Sequence, residues 1–232
     1  MGDHAADGRE GDVSEPKANE VDALDEEAGR LLFAQECSFV AGSERIEGLP
    51  PFELPEIAFA GRSNVGKSSL LNTLTNRTHL ARVSHTPGRT RQLNFFDLGH
   101  RLMLVDMPGY GYAAASKADI KRWEKLIDAY LFGRPTLARV MVLVDARHGL
   151  KPGDRDLMKR LDERAVSYQI AMTKGDQPKP AELAATVAKV AGELAKHLAA
   201  HPEIVVTSST TGAGVPELRA RLAKLAAPPP SR

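Results

Sequence analysis

Cysteine is nearly absent from this chain of 232 residues, in which Cys37 stands alone. One cysteine cannot form an intramolecular disulfide, so an oxidising compartment is not indicated, and we expect Cys37 to be a small buried hydrophobic side chain. No apolar run approaches the ~18 residues that a membrane-spanning helix needs, and the N-terminus lacks a basic-then-apolar signal pattern. We therefore expect a cytoplasmic protein that does not enter membranes.

Net charge of either sign is also lacking, because 31 basic and 30 acidic residues give +1 at pH 7. This balance argues against binding nucleic acid through bulk charge, although it is compatible with a local basic patch. Hydrophobic residues make up 42% of the chain, which is enough for a core. The composition therefore favours one domain of ordinary size with tails, and we expect a monomer.

The two ends of the chain differ in composition from its middle. Residues 1–21 are rich in Asp, Glu, Gly and Ala, which predicts a disordered acidic tail. From Asp22 to Glu36 apolar residues recur at helical spacing behind an acidic first turn, which predicts the first helix. The proline run that begins at Pro228 predicts a C-terminal tail over 227–232, so the domain is expected to span 22–226.

Short apolar runs alternate with amphipathic segments through the domain. Strand-like runs lie at 37–41, 57–60, 92–97, 101–106, 140–144, 168–172 and 204–206, and helical patterns lie at 68–75, 123–131, 154–164, 183–198 and 215–225. The runs at 92–97 and 101–106 predict a hairpin, whereas strand-helix-strand order elsewhere predicts parallel crossovers. The sequence thus predicts an α/β fold, a three-layer α/β/α sandwich of P-loop NTPase type on a mostly parallel sheet with one antiparallel edge strand.

A phosphate-loop pattern, G-x-x-x-x-G-K-[ST], lies between the predicted strand at 57–60 and the predicted helix at 68–75. Its residues are Gly61, Arg62, Ser63, Asn64, Val65, Gly66, Lys67 and Ser68, and Ser69 follows them. Glycines let the backbone N–H groups turn toward phosphate oxygens, and the helix N-terminus adds positive potential. We expect Lys67 to reach the β- and γ-phosphates and Ser68 to ligate a bridging Mg²⁺. Because both flanks fit, an ordinary Gly-rich turn is the weaker interpretation.

A second motif, D-x-x-G, follows the predicted strand at 101–106. It consists of Asp106, Met107, Pro108 and Gly109. We expect Asp106 to hold the Mg²⁺, and the N–H of Gly109 to meet the γ-phosphate. Upstream, Gly88, Arg89 and Thr90 lie in a Pro-Gly loop, where the Thr90 hydroxyl is expected to complete the Mg²⁺ shell when a γ-phosphate is present.

The residues after two further predicted strands indicate which nucleotide base, guanine or adenine, the site binds. Thr173, Lys174 and Asp176 form T-K-x-D, in which the carboxylate can accept from the ring N–H and the exocyclic amine of guanine, whereas adenine presents the wrong donors. A solvated turn is the alternative for this stretch taken alone. After the last strand, a run of hydroxyl residues is expected to supply a backbone N–H to the guanine carbonyl, with the second of them holding Asp176. These residues are Thr207, Ser208 and Ser209.

In this order the motifs resemble those of the translation-factor-like small GTPases. The chain is most similar to the EngB family of bacterial ribosome-biogenesis GTP-binding proteins, which belongs to the TrmE-Era-EngA-EngB-Septin-like P-loop GTPases. Within about residues 24–226, the stretches 61–70, 86–90 and above all 106–113 carry the resemblance. Gly175 and Gln177 depart from the Ala and Lys usual beside the guanine aspartate.

The resemblance implies a Mg²⁺-dependent GTP/GDP switch in assembly of the large ribosomal subunit, whose loss disturbs cell division and septation. The large subunit or its rRNA is then the expected partner. The residues alone leave two alternatives open. One is a nucleotide-gated binding module with negligible turnover that acts in division, and the other is a P-loop kinase, which Asp176 and the lack of a recognisable lid segment disfavour.

The expected catalytic residues are Lys67, Thr90, Gly109 and Asn64. Tyr110 stands where many small GTPases keep a glutamine that orients the attacking water, so we expect slow intrinsic hydrolysis. In related GTPases an asparagine at the position of Asn64 helps to hold a K⁺ ion that supplies charge as an arginine finger does. The alternatives are that Asn64 serves the turn conformation and that an arginine or a metal arrives from the ribosome.

Basic residues also cluster in or beside the two predicted switch segments at 82–92 and 107–118. They are Arg89, Arg91, Arg101, Lys117, Lys121 and Arg122. They form a candidate face for ribosomal RNA phosphates, and an ordinary solvated charged face is the alternative interpretation.

Overall fold

The computed structural model of the protein describes residues 18–78, 80, 92–110 and 117–229. Its strands are β1 (Cys37–Ser43), β2 (Glu56–Gly61), β3 (Leu93–Leu98), β4 (Leu102–Asp106), β5 (Leu137–Asp145), β6 (Tyr168–Thr173) and β7 (Val205–Val206). Its helices are α1 (Ala18–Phe33), α2 (Lys67–Leu74), α3 (Lys117–Gly133), α4 (Pro152–Glu163), α5 (Pro180–Leu194) and α6 (Val215–Ala223), with a 3₁₀ turn at Ile46–Gly48. Within these described ranges no helix is both long and apolar enough to cross a membrane.

The seven strands form one sheet in the order β1-β3-β4-β2-β5-β6-β7. The five strands β4, β2, β5, β6 and β7 are parallel to their neighbours in this order. Strand β3 is antiparallel to both of its neighbours, β1 and β4. The predicted mostly parallel sheet with antiparallel pairing at one edge is therefore confirmed, as is the hairpin of β3 and β4. The strand that runs against the others is β3, and β1 lies outside it at the edge.

Helices cover both faces of the sheet, which confirms the three-layer sandwich. Alternate residues of β5 show this division, since Val142 packs in the apolar cluster with α3, α4 and α5, whereas Leu143 packs with α1, α2 and α6. Tyr130 of α3 is fully buried, as its stripe predicted. Because the central strands are buried on both faces, they hold their carboxyl ends, and the loops that follow, in a fixed arrangement.

Several predicted boundaries differ from the structure. Helix α1 begins at Ala18, inside the expected disordered tail, and ends at Phe33 rather than Glu36. At the other end, Ala227, assigned to the C-terminal tail, donates its N–H to the carbonyl of Arg101 at 2.8 Å and accepts from the Arg101 side chain at 2.7 Å. The helix therefore extends before residue 22 and the hydrogen bonds of the domain extend beyond residue 226, whereas the division of the chain into tails and a domain stays a prediction. Cys37 is buried as expected, and burial raises the pKa of its thiol to about 12.

The predicted stripe from Leu183 to Leu198 is wrong at its C-terminal end. Helix α5 ends at Leu194, and Leu198 is 100% exposed. The chain leaves the helix there because the next segment pairs with the sheet, where the Tyr168 N–H donates to the carbonyl of Ala199 at 3.1 Å. A tertiary hydrogen bond has thus overridden a continuous helical pattern.

Candidate nucleotide-binding site

The phosphate-loop pattern lies between β2 and α2, as predicted. Gly66 has φ +104° and Asn64 has φ +62°, a left-handed conformation that glycine and asparagine adopt most readily. The carbonyl of Gly66 accepts the N–H of Leu70 at 2.9 Å and so closes the first turn of α2. The N–H groups of this first turn have no partner within the helix, which makes its N-terminus suited to a phosphate group.

Two side chains of the T-K-x-D motif brace the phosphate loop from the neighbouring strand end. The Thr173 hydroxyl donates to the carbonyl of Val65 at 2.6 Å, and the Lys174 ammonium donates to the carbonyl of Asn64 at 2.7 Å. These bonds hold the loop between β2 and β6. Both residues were predicted to belong to the site, and the structure gives them this supporting role.

Asp145, at the end of β5, is a member of the site that sequence reasoning missed. Its carboxylate accepts from Lys174 at 2.9 Å and from Arg147 at 2.6 Å. Burial raises the pKa of Asp145, but the hydrogen bonds from Arg147 and Lys174 outweigh burial, so the pKa lies well below its usual range. Asp145 stays charged and fixes the lysine that braces the loop. Asp145 ends an apolar strand as Asp106 does, and this position in the sequence could have predicted that Asp145 belongs to the site.

The two groups expected to meet the phosphates and the Mg²⁺ lie together. The ammonium of Lys67 forms an ion pair with the carboxylate of Asp106, and their side chains are only 11% and 7% exposed. Ser68 is half-buried in the first turn of α2. The structure therefore brings a cation and a carboxylate together where β2 and β4 end, and Ser68 directly follows that cation in the chain.

This donor set fits Mg²⁺ that is shared with phosphates. Mg²⁺ prefers oxygen ligands and is usually bound through one or two carboxylates together with substrate phosphates and waters. Asp106 and Ser68 supply one carboxylate and one hydroxyl. Across the described ranges no group of three or more His, Cys, Asp and Glu side chains is placed to hold a metal by itself. Thr90, with Gly88 and Arg89, lies outside the described residues, so its role as a ligand stays a prediction.

The D-x-x-G segment runs alongside the phosphate loop. The N–H of Tyr110 donates to the carbonyl of Gly61 at 3.2 Å, and the N–H of Ser63 donates to the carbonyl of Tyr110 at 3.3 Å. Gly109 fits because a Cβ there would lie 3.0 Å from the backbone nitrogen of Ser63. Met107 is fixed by its own N–H, which donates to the carbonyl of Phe59 at 3.1 Å. The expected γ-phosphate contact is thus held beside the loop that would bind the other phosphates.

Tyr110 turns its hydroxyl away to another element. It donates to the carboxylate of Asp154 at the start of α4, at 2.7 Å. Burial and the negative charge of Asp154 raise the pKa of Tyr110, so the phenol stays a protonated donor. This contact occupies the hydroxyl and agrees with the expectation that Tyr110 does not replace a water-orienting glutamine.

A cleft of about 410 Å³ joins the phosphate loop to the T-K-x-D motif. Its lining residues are Gly66, Ser69, Asn72, Thr73, Thr173, Lys174, Asp176, Gln177, Ser209 and Thr210. The carboxylate of Asp176 is exposed there. The unusual Gly175 has a packing reason, because a Cβ at this position would lie 2.6 Å from Val206 Cγ1. The cleft is of a size typical of small-molecule sites, with its phosphate-binding and base-binding groups at separate places along it.

The structure does not place Ser208 against Asp176, which corrects that expectation. The Ser208 hydroxyl accepts the N–H groups of Thr210 at 3.2 Å and Thr211 at 3.1 Å, so it stabilises its own turn. The N–H groups of Ser208 and Thr207 donate to other carbonyls, at 3.0 and 2.7 Å. Among the three predicted hydroxyl residues, Ser209 alone lines the cleft, and its N–H is the best candidate for the guanine carbonyl.

The fold and this site define the class of protein as a P-loop GTPase. Residues 56–174 match a family model described as 50S ribosome-binding GTPase. The chain is 59% identical over 207 residues to the probable GTP-binding protein EngB of Rhodospirillum rubrum, a match that covers 87% of this chain and 90% of that protein. It is 61% identical over 201 residues to the corresponding protein of Rhodopseudomonas palustris strain HaA2, with 86% and 93% covered.

Among solved structures, the chain is similar to a crystal structure of a probable GTP-binding protein engB. The TM-score is 0.58 at 24% identity, and the match covers 73% of this chain and 97% of the other. This structure shows that the fold is shared, and the relatives that are 59% and 61% identical show that the chain belongs to the EngB family of GTP-binding proteins. The resemblance of the sequence motifs to the EngB family is confirmed, and the alternative of a P-loop kinase is excluded.

Proposed function

We propose that this GTPase is a slow, Mg²⁺-dependent switch in assembly of the large ribosomal subunit, and that normal cell division and septation depend on it. The observation that carries the switch is the pairing of Tyr110 with Gly61 and Ser63. Through this pairing, a γ-phosphate at the phosphate loop would be sensed directly by the segment that continues beyond residue 110. The description of the matching family as 50S ribosome-binding supports the choice of partner.

The chemistry of the proposed switch is phosphoryl transfer to water. Lys67 and the first turn of α2 would bind the phosphates, while Asp106 and Ser68 would hold the Mg²⁺ that neutralises their charge. The N–H of Gly109 would be used only when a γ-phosphate is present. GTP is therefore expected to order segment 82–92 and the part of segment 107–118 that follows Tyr110, and hydrolysis to release them.

The proposed partner surface is the basic face beside these segments. The structure removes one of the six predicted residues from this face. Arg101 directly precedes β4, so it lies at the opposite end of that strand from Asp106 and does not belong to this face. Lys117 and Lys121 lie in the first turns of α3, and Arg122 follows them. Arg89 and Arg91 lie outside the described residues. We propose that these lysines and arginines, without Arg101, meet phosphates of ribosomal RNA.

Binding to large subunits is expected to require GTP and to weaken as salt rises, because phosphate contacts release counterions. Cosedimentation with purified large subunits, with a non-hydrolysable GTP analogue or with GDP, measures this. Lys121→Glu with Arg122→Glu should abolish pelleting with the analogue, whereas Lys189→Glu with Lys196→Glu, on and just after α5, should leave it unchanged. Equal pelleting in both nucleotide states contradicts the switch. Pelleting in neither state contradicts the ribosomal partner and favours a role in division.

Hydrolysis by the isolated protein is expected to rise when K⁺ replaces Na⁺, if Asn64 helps to hold the ion that compensates for the missing glutamine. Asn64→Gly removes the side chain while keeping the φ of +62° accessible, whereas Asn64→Ala adds strain there. Asn64→Gly should therefore abolish the K⁺ stimulation and keep GDP affinity within about 2-fold of wild type, well inside the tenfold change that 1.4 kcal/mol would cause.

The measurement is single-turnover GTP hydrolysis in matched chloride salts. The alternative is that Asn64 serves only the turn conformation of the phosphate loop, which its left-handed backbone already suits. A rate that is the same in both salts would contradict the K⁺ proposal, and the missing catalytic group would then come from the partner.

A further inference from the structure

We propose that Asp154, at the start of α4, is a positioning residue that holds the D-x-x-G loop where the N–H of Gly109 can meet the γ-phosphate of GTP. Asp154 lies 44 residues beyond Tyr110 and belongs to none of the nucleotide motifs. The inference rests on the GTP site, and it does not depend on the ribosomal partner.

Asp154 is fixed in place by its own helix. Its side chain is almost wholly buried, with 1% exposure, and one carboxylate oxygen accepts the N–H of Lys151 at 2.8 Å. The N-terminal position in α4 also favours its negative charge. The other oxygen accepts the Tyr110 hydroxyl at 2.7 Å. Both oxygens are therefore used, one to anchor the carboxylate and one to hold the tyrosine.

Tyr110 is held from two sides by this arrangement. Its backbone pairs with Gly61 and Ser63 of the phosphate loop. Its ring lies against the first turn of α4, where a Cβ at Gly153 would be 3.4 Å from Cδ2 of the ring. Since Gly109 directly precedes Tyr110, a fixed tyrosine restricts where the Gly109 N–H can point.

The consequence differs between the two nucleotides. GTP has the γ-phosphate that the Gly109 N–H would meet, and GDP does not. A loop that is already positioned loses less conformational entropy when the γ-phosphate binds. The contact between Tyr110 and Asp154 should therefore favour GTP over GDP, although neither side chain needs to touch the nucleotide.

The test is the affinity of Tyr110→Phe for a fluorescent non-hydrolysable GTP analogue and for fluorescent GDP. The lost hydrogen bond acts on the γ-phosphate only through the loop, so its removal should weaken the analogue about 3- to 10-fold, which is less than a direct hydrogen bond to a charged group contributes. GDP affinity should stay within about 2-fold. Asp154→Asn should show the same selective loss, and the double variant should be no weaker than the stronger single variant. Tyr168→Phe, which removes a hydroxyl at the opposite end of β6 from Thr173, is the control and should change neither affinity.

Tyr110→Phe decides the outcome because it leaves the Lys151–Asp154 hydrogen bond intact, whereas Asp154→Asn also alters the start of α4. Equal weakening of both nucleotides would show that the contact only maintains the fold. Unchanged or tighter binding of the analogue would show that it does not position the loop for the γ-phosphate. Either result overturns the proposal. Failure of the wild-type protein to bind GDP would instead contradict the guanine site itself.

Discussion

Lys67→Ala is expected to weaken GTP binding about 100-fold or more, because it removes the ammonium that is expected to reach the β- and γ-phosphates. GDP should be affected less, since it lacks the γ-phosphate. Equilibrium titration with a fluorescent GTP analogue measures the loss. The expected loss is large because an ammonium attracts a phosphate more strongly at a half-enclosed site than in bulk water.

The ion pair with Asp106 complicates this variant in a predictable way. Lys67→Ala leaves a carboxylate that is only 7% exposed without its cation, so the melting temperature should fall as well. Ser68→Ala keeps the ion pair and removes only the expected Mg²⁺ ligand. Its GTP affinity should fall when Mg²⁺ is present and match wild type when Mg²⁺ is chelated. Lys189→Ala, which changes an exposed residue of α5, is the control for both.

GTP binding by Lys67→Ala and Ser68→Ala that equals wild type, with unchanged melting temperatures, would contradict the assignment of this loop. A fall in melting temperature alone, without loss of GTP binding, would contradict it too. It would limit Lys67 to its structural ion pair.

Features that depend on neighbouring residues were predictable from the sequence. The phosphate loop needs glycines, a lysine and a hydroxyl at fixed spacing, and Gly66 indeed adopts φ +104° at the start of α2. The hairpin of β3 and β4 and the parallel crossovers followed from short apolar runs and their order. Asp106 could be expected beside the loop because parallel strands end at the same edge of a sheet.

Features that depend on contacts between distant segments were not predictable. Thr173 bonds to the carbonyl of Val65 across 108 residues, and no local pattern shows that its hydroxyl supports the phosphate loop rather than the base. The same holds for Tyr110 and Asp154. Ser208 was assigned to Asp176 because both follow strand ends, but the turn that begins at Ser208 uses its hydroxyl locally. Side-chain partners at a sheet edge depend on loop conformation, which spacing does not determine.

Asp176→Asn is expected to weaken GTP binding about 100- to 10,000-fold, because the amide keeps one acceptor oxygen and turns its N–H₂ toward the other guanine donor, so that a charged hydrogen bond is lost and two donors face each other. The same change should strengthen binding of xanthosine triphosphate, whose ring edge carries an oxygen where guanine carries an amine. Asp176 is exposed in the cleft and is not part of the core. Its replacement should therefore leave the melting temperature unchanged.

Asp156→Asn, an equally conservative change at an exposed aspartate of α4, is the matched control. It should change neither nucleotide preference nor stability. A loss of GTP binding in both variants would point to a general charge effect and would remove the specific role of Asp176.

The most direct test of a guanine site at Asp176 is a competition titration in which GTP, ATP and xanthosine triphosphate displace a fluorescent guanine nucleotide from the wild-type protein and from Asp176→Asn. We expect the wild type to prefer GTP strongly over both competitors, and Asp176→Asn to prefer xanthosine triphosphate. A wild-type preference for ATP, or a GTP affinity that Asp176→Asn leaves unchanged, would contradict the guanine site.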